Sequence, residues 1–127
     1  RALTKLLDEL KPGWLHHGVS VGADAEAHTL SRTMFKRHCR VHGHPSNVGG
    51  LQATHLLSDL EVLSKVRAPL QRNLDIVSSC EVVIAAPHES IEQRSGGTWY
   101  AIRAARHRRR PLYLLWPNGE VNEENMI

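Results

Sequence analysis

Ser95-Gly-Gly-Thr98 stands where a helix would open, just after the apolar run Glu81-Val-Val-Ile-Ala-Ala-Pro87 and a polar loop. A run of β-branched residues ending at a proline predicts a strand buried on both faces, as parallel sheets require. A helix opening beyond such a strand aims free backbone N–H groups and its positive dipole end at one spot, and glycines let an anion approach closely. The expected ligand is therefore a phosphate or carboxylate held by Ser95, Gly96, Gly97 and Thr98, at the end of the strand marked by Pro87. The competing reading is that Ser95 and Thr98 cap the helix while the glycines form a turn.

Arg72 can clamp a phosphate bidentately, or lie on a helix surface paired with Asp75 or water. Asn73 can meet a ribose or base edge, or cap backbone groups. Asp24, just after Gly22, is read either as an N-cap or as a ribose-binding carboxylate, and Glu26 is the nearest spare carboxylate. His28, the nearest base, is read as part of a surface helix face. His38, Cys39, His42 and His44 resemble a metal cluster, and on a strand His42 and His44 share a side while Cys39 points away. No second Cys/His group lies at zinc-site spacing, so no metal and no cofactor are assigned, and His44 is expected to line a pocket. Arg106-His-Arg-Arg-Arg110 reads as a solvated helix end whose positive charge offsets the dipole. Without interleaved aromatics it argues against nucleic acid. Trp99 and Tyr100 are candidates to stack on a base, with Trp99 equally a core residue.

These groups need elements to hold them. Leu3, Leu6, Leu7 and Leu10 share a helical face that Lys11-Pro12-Gly13 ends. Trp14 to His17 predicts a strand, Gly18 to Gly22 a loop, and Asp24 to about Lys36 a helix. Arg40 to Gly43 predicts a further strand, ended by His44-Pro45-Ser46-Asn47 and the pair Gly49-Gly50. Leu51 to Val66 reads as a helix or a partly ordered insertion. Pro69 opens a helix reaching Ser79. The strand from Glu81 follows, then a helix from Thr98 to about Arg106 and a strand over Pro111 to Trp116. Residues 120–127 read as a frayed tail. This alternation, with connections too long for hairpins, implies an α/β domain with a mostly parallel central sheet covered on both faces. Ligands in such sheets gather beyond the strands' carboxyl ends, here the loops at 18–24, 43–47, 87–98 and 116–119.

The totals fit this frame. The chain has 127 residues, of which 41% are hydrophobic, and suits one compact domain over 1–127. No apolar run reaches membrane-spanning length and no secretory layout opens the chain, so a cytoplasmic protein without membrane contact is expected. Cys39 and Cys80 are expected to be free thiols. A net charge of +3 permits an anionic ligand.

The segments His17-Gly18-Val-Ser-Val-Gly22-Ala-Asp24-Ala-Glu26-Ala-His28, His42-Gly43-His44-Pro45, Arg72-Asn73-Leu-Asp-Ile-Val77 and Ser95-Gly96-Gly97-Thr98-Trp99 together resemble the SLOG superfamily. These Rossmann-like domains are shared by DprA, the LOG phosphoribohydrolases and the YspA-type proteins, with the YspA-like branch most similar. The resemblance spans roughly residues 1 to 119. It implies a three-layer Rossmann-like domain that binds a nucleotide or nucleotide-derived ligand through Gly22, Asp24, His44, Arg72, Asn73, Pro87 and the Ser95–Thr98 loop, with a homodimer as the expected assembly. Members usually begin with a strand and a Gly-x-Thr-Gly-x-Arg turn, which this sequence lacks. It opens on Arg1 in a helical pattern, suggesting a missing beginning. In LOG enzymes the segment matching Arg72 to Pro87 carries the catalytic arginine, at Arg72, and a lysine, at Asn73. Matching Gly97-Thr98 to the family's Gly-Thr puts Ala101 at the catalytic glutamate. A methyl group cannot stabilise an oxocarbenium-like sugar or handle a proton, so sensing or sequestering is expected over turnover. The alternatives are an N-ribohydrolase or ribosyl transferase using Asp24 or Glu26, and a DprA-like DNA-binding protein.

Overall fold

Leu3, Leu6 and Leu7 lie buried along one side of helix α1 (Ala2–Leu10). The helix ends where Lys11 turns left-handed and Pro12 removes the next donor. Residues 1–48 and 52–126 are described by a computed structural model. Strand β1 (Trp14–His17), helix α2 (Ala23–Phe35) and strand β2 (Arg40–Gly43) follow, with one turn of tighter helix, Lys36–His38, before β2. β1 and β2 run parallel, with Leu15 opposite Val41 and His16 opposite His42. A two-residue strand, β3 (Val62–Leu63), adds to the far edge of β2 in parallel.

Helix α3 (Pro69–Ser79) starts on its proline. It leads to strand β4 (Val83–Ala85), helix α4 (Gly97–His107), strand β5 (Leu112–Leu115) and strand β6 (Val121–Glu124). β4 and β5 are parallel and β6 returns antiparallel to β5. Val77, Val83, Ala85, Trp99, Ile102, Ala105, Leu112 and Leu114 form the main core between this sheet and helices α3 and α4. A smaller cluster of Val19, Ala53 and Leu56 sits under the loop after β1.

The mixed α/β architecture is as expected, but the strands form two three-stranded sheets. Between them lies a cleft of about 580 Å³, walled by β1 on one side and Val83 and Ile84 of β4 on the other, with Leu3 and Leu7 of α1 also lining it. The strand expected over Glu81 to Pro87 shrinks to Val83–Ala85, because its partner β5 begins at Leu112, opposite Val83, and among the described residues no strand pairs with Glu81 or Val82. The tail expected to fray is instead β6 up to Glu124. Gly119, at φ 92°, closes a tight turn in which its N–H donates to the Trp116 carbonyl, so this connection is a hairpin after all. Arg106 then grips the Glu124 carboxylate at 2.7 and 2.9 Å. The helix considered for Leu51 to Val66 is only a single turn at Thr54–Leu56 plus β3, and its first residue, like Gly49-Gly50, lies outside the described residues.

Candidate functional site

β1, β2 and β4 deliver their carboxyl ends to one region, and Arg72 from α3 ties the loops there together. One guanidinium nitrogen donates to the carbonyls of Gly18 (2.5 Å) and His44 (3.0 Å), while Nε donates to Asn73 Oδ1 at 2.7 Å. The amide of Asn73 in turn donates to the Gly97 carbonyl at 3.0 Å. Three loops separated by up to 79 positions, those after β1, β2 and β4, thus meet through two adjacent side chains. Asp75, the alternative partner for Arg72, pairs with Arg67 instead. Gly18 has a clear reason to be glycine: a Cβ there would lie 2.8 Å from Arg72 Cζ and 3.0 Å from Asp24 Oδ2.

Asp24 does not cap α2 in the usual manner. Gly22, at φ 87°, is the N-cap residue, and Asp24 Oδ2 accepts the N–H groups of Gly18 (3.0 Å) and Ser20 (3.2 Å). Burial raises its carboxyl pKa, against the opposing pull of those amides and of Arg72. Glu26 is exposed and pairs with Arg1.

The start of α4 shares the positive-φ glycine N-cap, here Gly96 at φ 105°, and the lack of a side-chain cap, but differs in that no acidic residue occupies its first turn. Among the described residues no protein group accepts from the N–H groups of Gly97, Thr98 or Trp99. Ser95 and Thr98 are exposed and leave that end uncapped. Pro87 is buried at the end of β4. Trp99 is a core residue, 1% exposed, and its indole N–H donates to Glu89 at 2.8 Å, which removes it as a stacking surface.

His28 is not on a surface face but buried inside a directional chain. The Val19 N–H donates to His17 Nδ1 at 3.0 Å, so the single proton of neutral His17 sits on Nε2. That proton points at His28 Nδ1, 2.9 Å away, and His28 Nε2–H points at Asp59 at 2.8 Å. Desolvation, reinforced by neighbouring His28, His44, His16 and Arg32, pushes His17 down to about 3, so it stays neutral. Asp59 and Glu61 are also gripped by Arg32 and Arg37. This chain braces the loop that carries Gly18 and Val19.

On the opposite side of the same sheet, His16, His42 and His44 converge. The rings of His42 and His44 stack at 4.2 Å, and Nδ1 of His16 is 3.0 Å from Nε2 of His44. The ring of His44 therefore faces this cluster, while its carbonyl faces Arg72. His-x-His at 42–44 was visible in the sequence; His16 joins only through the β1–β2 register, which spacing alone does not reveal. Cys39 and Cys80 are free, with Cys39 buried immediately before β2. Arg106 is committed to Glu124 and Glu92, which reduces the basic run to fewer open charges. Ala101 packs against the main core.

No protein-family model, curated protein or solved structure matches this chain significantly. No helix among the described residues is long and apolar enough to cross a membrane.

Proposed function

We infer that this chain is a small module binding a nucleotide or nucleotide-derived ligand, with the ligand's phosphate on the amides of Gly97, Thr98 and Trp99. The contrast between the two helix starts carries the reading. Both α2 and α4 follow a parallel strand in the chain and open behind a positive-φ glycine. The start of α2 holds Asp24 and Glu26, which repel an anion, whereas α4 has no acid in its first turn. Both the dipole and the free N–H groups of α4 thus favour an anion there. Asn73 reaches Gly97 and links it to the Arg72 guanidinium, whose positive charge adds to that of the helix start.

A Rossmann-like domain of the SLOG kind is part of the same reading. A strand seated parallel between β1 and β4 would merge the two sheets in the order β3-β2-β1, added strand, β4-β5-β6. The helices would then cover both faces, and the α4 start would lie at the reversal of strand order, where such sheets hold ligands. Binding without turnover is supported by Ala101, a methyl group packed against the main core, and by an Asp24 carboxylate already used by two amides.

Titration calorimetry with a panel of nucleoside monophosphates tests this. Thr98→Glu places a carboxylate in an exposed first-turn position that favours helix stability, so the fold is retained while the anion is repelled. Binding to wild type, weakened about tenfold or more by Thr98→Glu, is expected, since about 1.4 kcal/mol corresponds to a factor of ten. Equal affinity of the two proteins refutes the site. Base release abolished by Asp24→Asn replaces the binding reading with the hydrolase.

A further inference from the structure

We propose that His16, His42 and His44 form a binding site for a first-row divalent transition metal ion, zinc above all, separate from the ligand site at α4. The register pairs His16 of β1 directly with His42 of β2, which puts both side chains on one face, and His44 returns to that face two residues on. One ligand nitrogen from each ring lies within 4.8 Å of the others. Around a tetrahedral zinc ion with bonds of about 2.0–2.1 Å, the nitrogens stand about 3.4 Å apart, so the site closes when the stacked rings of His42 and His44 tilt out of their 14° near-parallel arrangement to aim their lone pairs at one point. The closest pair, His16 Nδ1 and His44 Nε2 at 3.0 Å, shares one proton in the metal-free protein. An ion would take both lone pairs, with the ring that donates in this contact carrying its single N–H on its other nitrogen instead.

The surroundings suit a cation of this type. Each of the three rings offers a nitrogen to the same small volume, and no carboxylate belongs to the group. The Ser64 hydroxyl, 2.6 Å from Nε2 of His42, is an outer partner that orients this ring. Within His44, Arg72 donates to the backbone oxygen and not to a ring nitrogen. Three neutral nitrogens with no carboxylate select zinc, cobalt, nickel or copper over magnesium or calcium. His44 is buried while His16 and His42 are partly open, which gives an ion an entry side. Three protein ligands leave a fourth position for water, the arrangement found in catalytic rather than structural zinc sites.

The test uses chelator-treated protein titrated with Co²⁺ and Zn²⁺. One Co²⁺ per chain with the strong visible absorption of four-coordinate cobalt, displaced by Zn²⁺, is expected. His16→Asn and His42→Asn alter partly exposed residues and should each weaken binding about a hundredfold, whereas His55→Asn and His88→Asn, both exposed elsewhere, should not. Substoichiometric binding, or His16→Asn and His42→Asn proteins that bind like wild type, overturns the site. Should those variants not fold, histidine ring NMR signals of the wild type decide: Zn²⁺ must shift those of His16, His42 and His44. Shifts confined to other histidines overturn the proposal.

Discussion

Gly18→Ala isolates the knot that joins three loops. The backbone at Gly18 is not left-handed, so alanine is conformationally allowed and would by itself gain about 0.4–1 kcal/mol from a stiffer unfolded chain. Its methyl group, however, would collide with the Arg72 guanidinium, 2.8 Å from Cζ. A free arginine end would swing aside at little cost. This one donates to Gly18, His44 and Asn73, and moving it breaks the two carbonyl bonds. Hydrogen bonds from charged donors contribute about 1.5–3 kcal/mol each, and partial rescue by water at this half-buried site leaves a net loss of about 2 kcal/mol. At roughly 4 °C per kcal/mol for a domain of this size, the melting temperature should fall by about 8 °C. Urea denaturation of a double-mutant cycle checks the cause: in an Arg72→Ala background most of the Gly18→Ala cost should vanish, leaving only the approach to Asp24 Oδ2 at 3.0 Å. A Gly18→Ala penalty below about 0.5 kcal/mol, or one that persists without Arg72, refutes the reasoning.

His28→Leu should destabilise by about 2 kcal/mol, because the buried His17 Nε2–H loses its acceptor; unchanged denaturation midpoints would dissolve the relay from Val19 to Asp59. Acid should weaken the fold through Asp59 and Glu61. Desolvation alone would raise their pKa values, but bonds from Arg32 and Arg37, with His28 on Asp59 and the Val41 N–H on Glu61, outweigh it and bring Glu61 to about 2 and Asp59 lower still. Folded values below the unfolded ones mean that this stability is fully present above about pH 5 and is lost as pH falls toward 2. Arg32→Gln should flatten that part of a stability-against-pH curve, and a curve of unchanged slope would contradict the assignment.

Much of this was legible in the sequence because local rules decide it. The helix from Pro69 to Ser79 follows from an N-terminal proline and an apolar stripe, and β1 and β2 match their expected spans to the residue. Local rules fail where pairing partners decide. Val121-Asn-Glu-Glu124 has too little apolar character to announce a strand, and becomes one because Gly119 turns it back onto β5 and Arg106 holds its last carboxylate. Glu81 and Val82 read as strand but lie outside β4, because its partner β5 begins only at Leu112, opposite Val83. At the site, the resemblance led to Arg72, Asn73 and the glycine-flanked helix start as one group; Asn73 does reach Gly97, while the Arg72 guanidinium donates to the Gly18 and His44 carbonyls, which no local pattern announces. The burial of Asp24 and His28 was not readable either, since each depends on a partner, Gly18 or Asp59, that only the folded chain brings near.

The central claim is that the first turn of α4 offers its backbone N–H groups to an anion. Amide chemical shifts recorded while inorganic phosphate and then a nucleoside monophosphate are added test it most directly. Saturable shifts concentrated on Gly97, Thr98 and Trp99, with the Arg72 Nε–H moving in step, are predicted. Shifts absent from these amides, or gathered on the basic run from Arg106 to Arg110, contradict it.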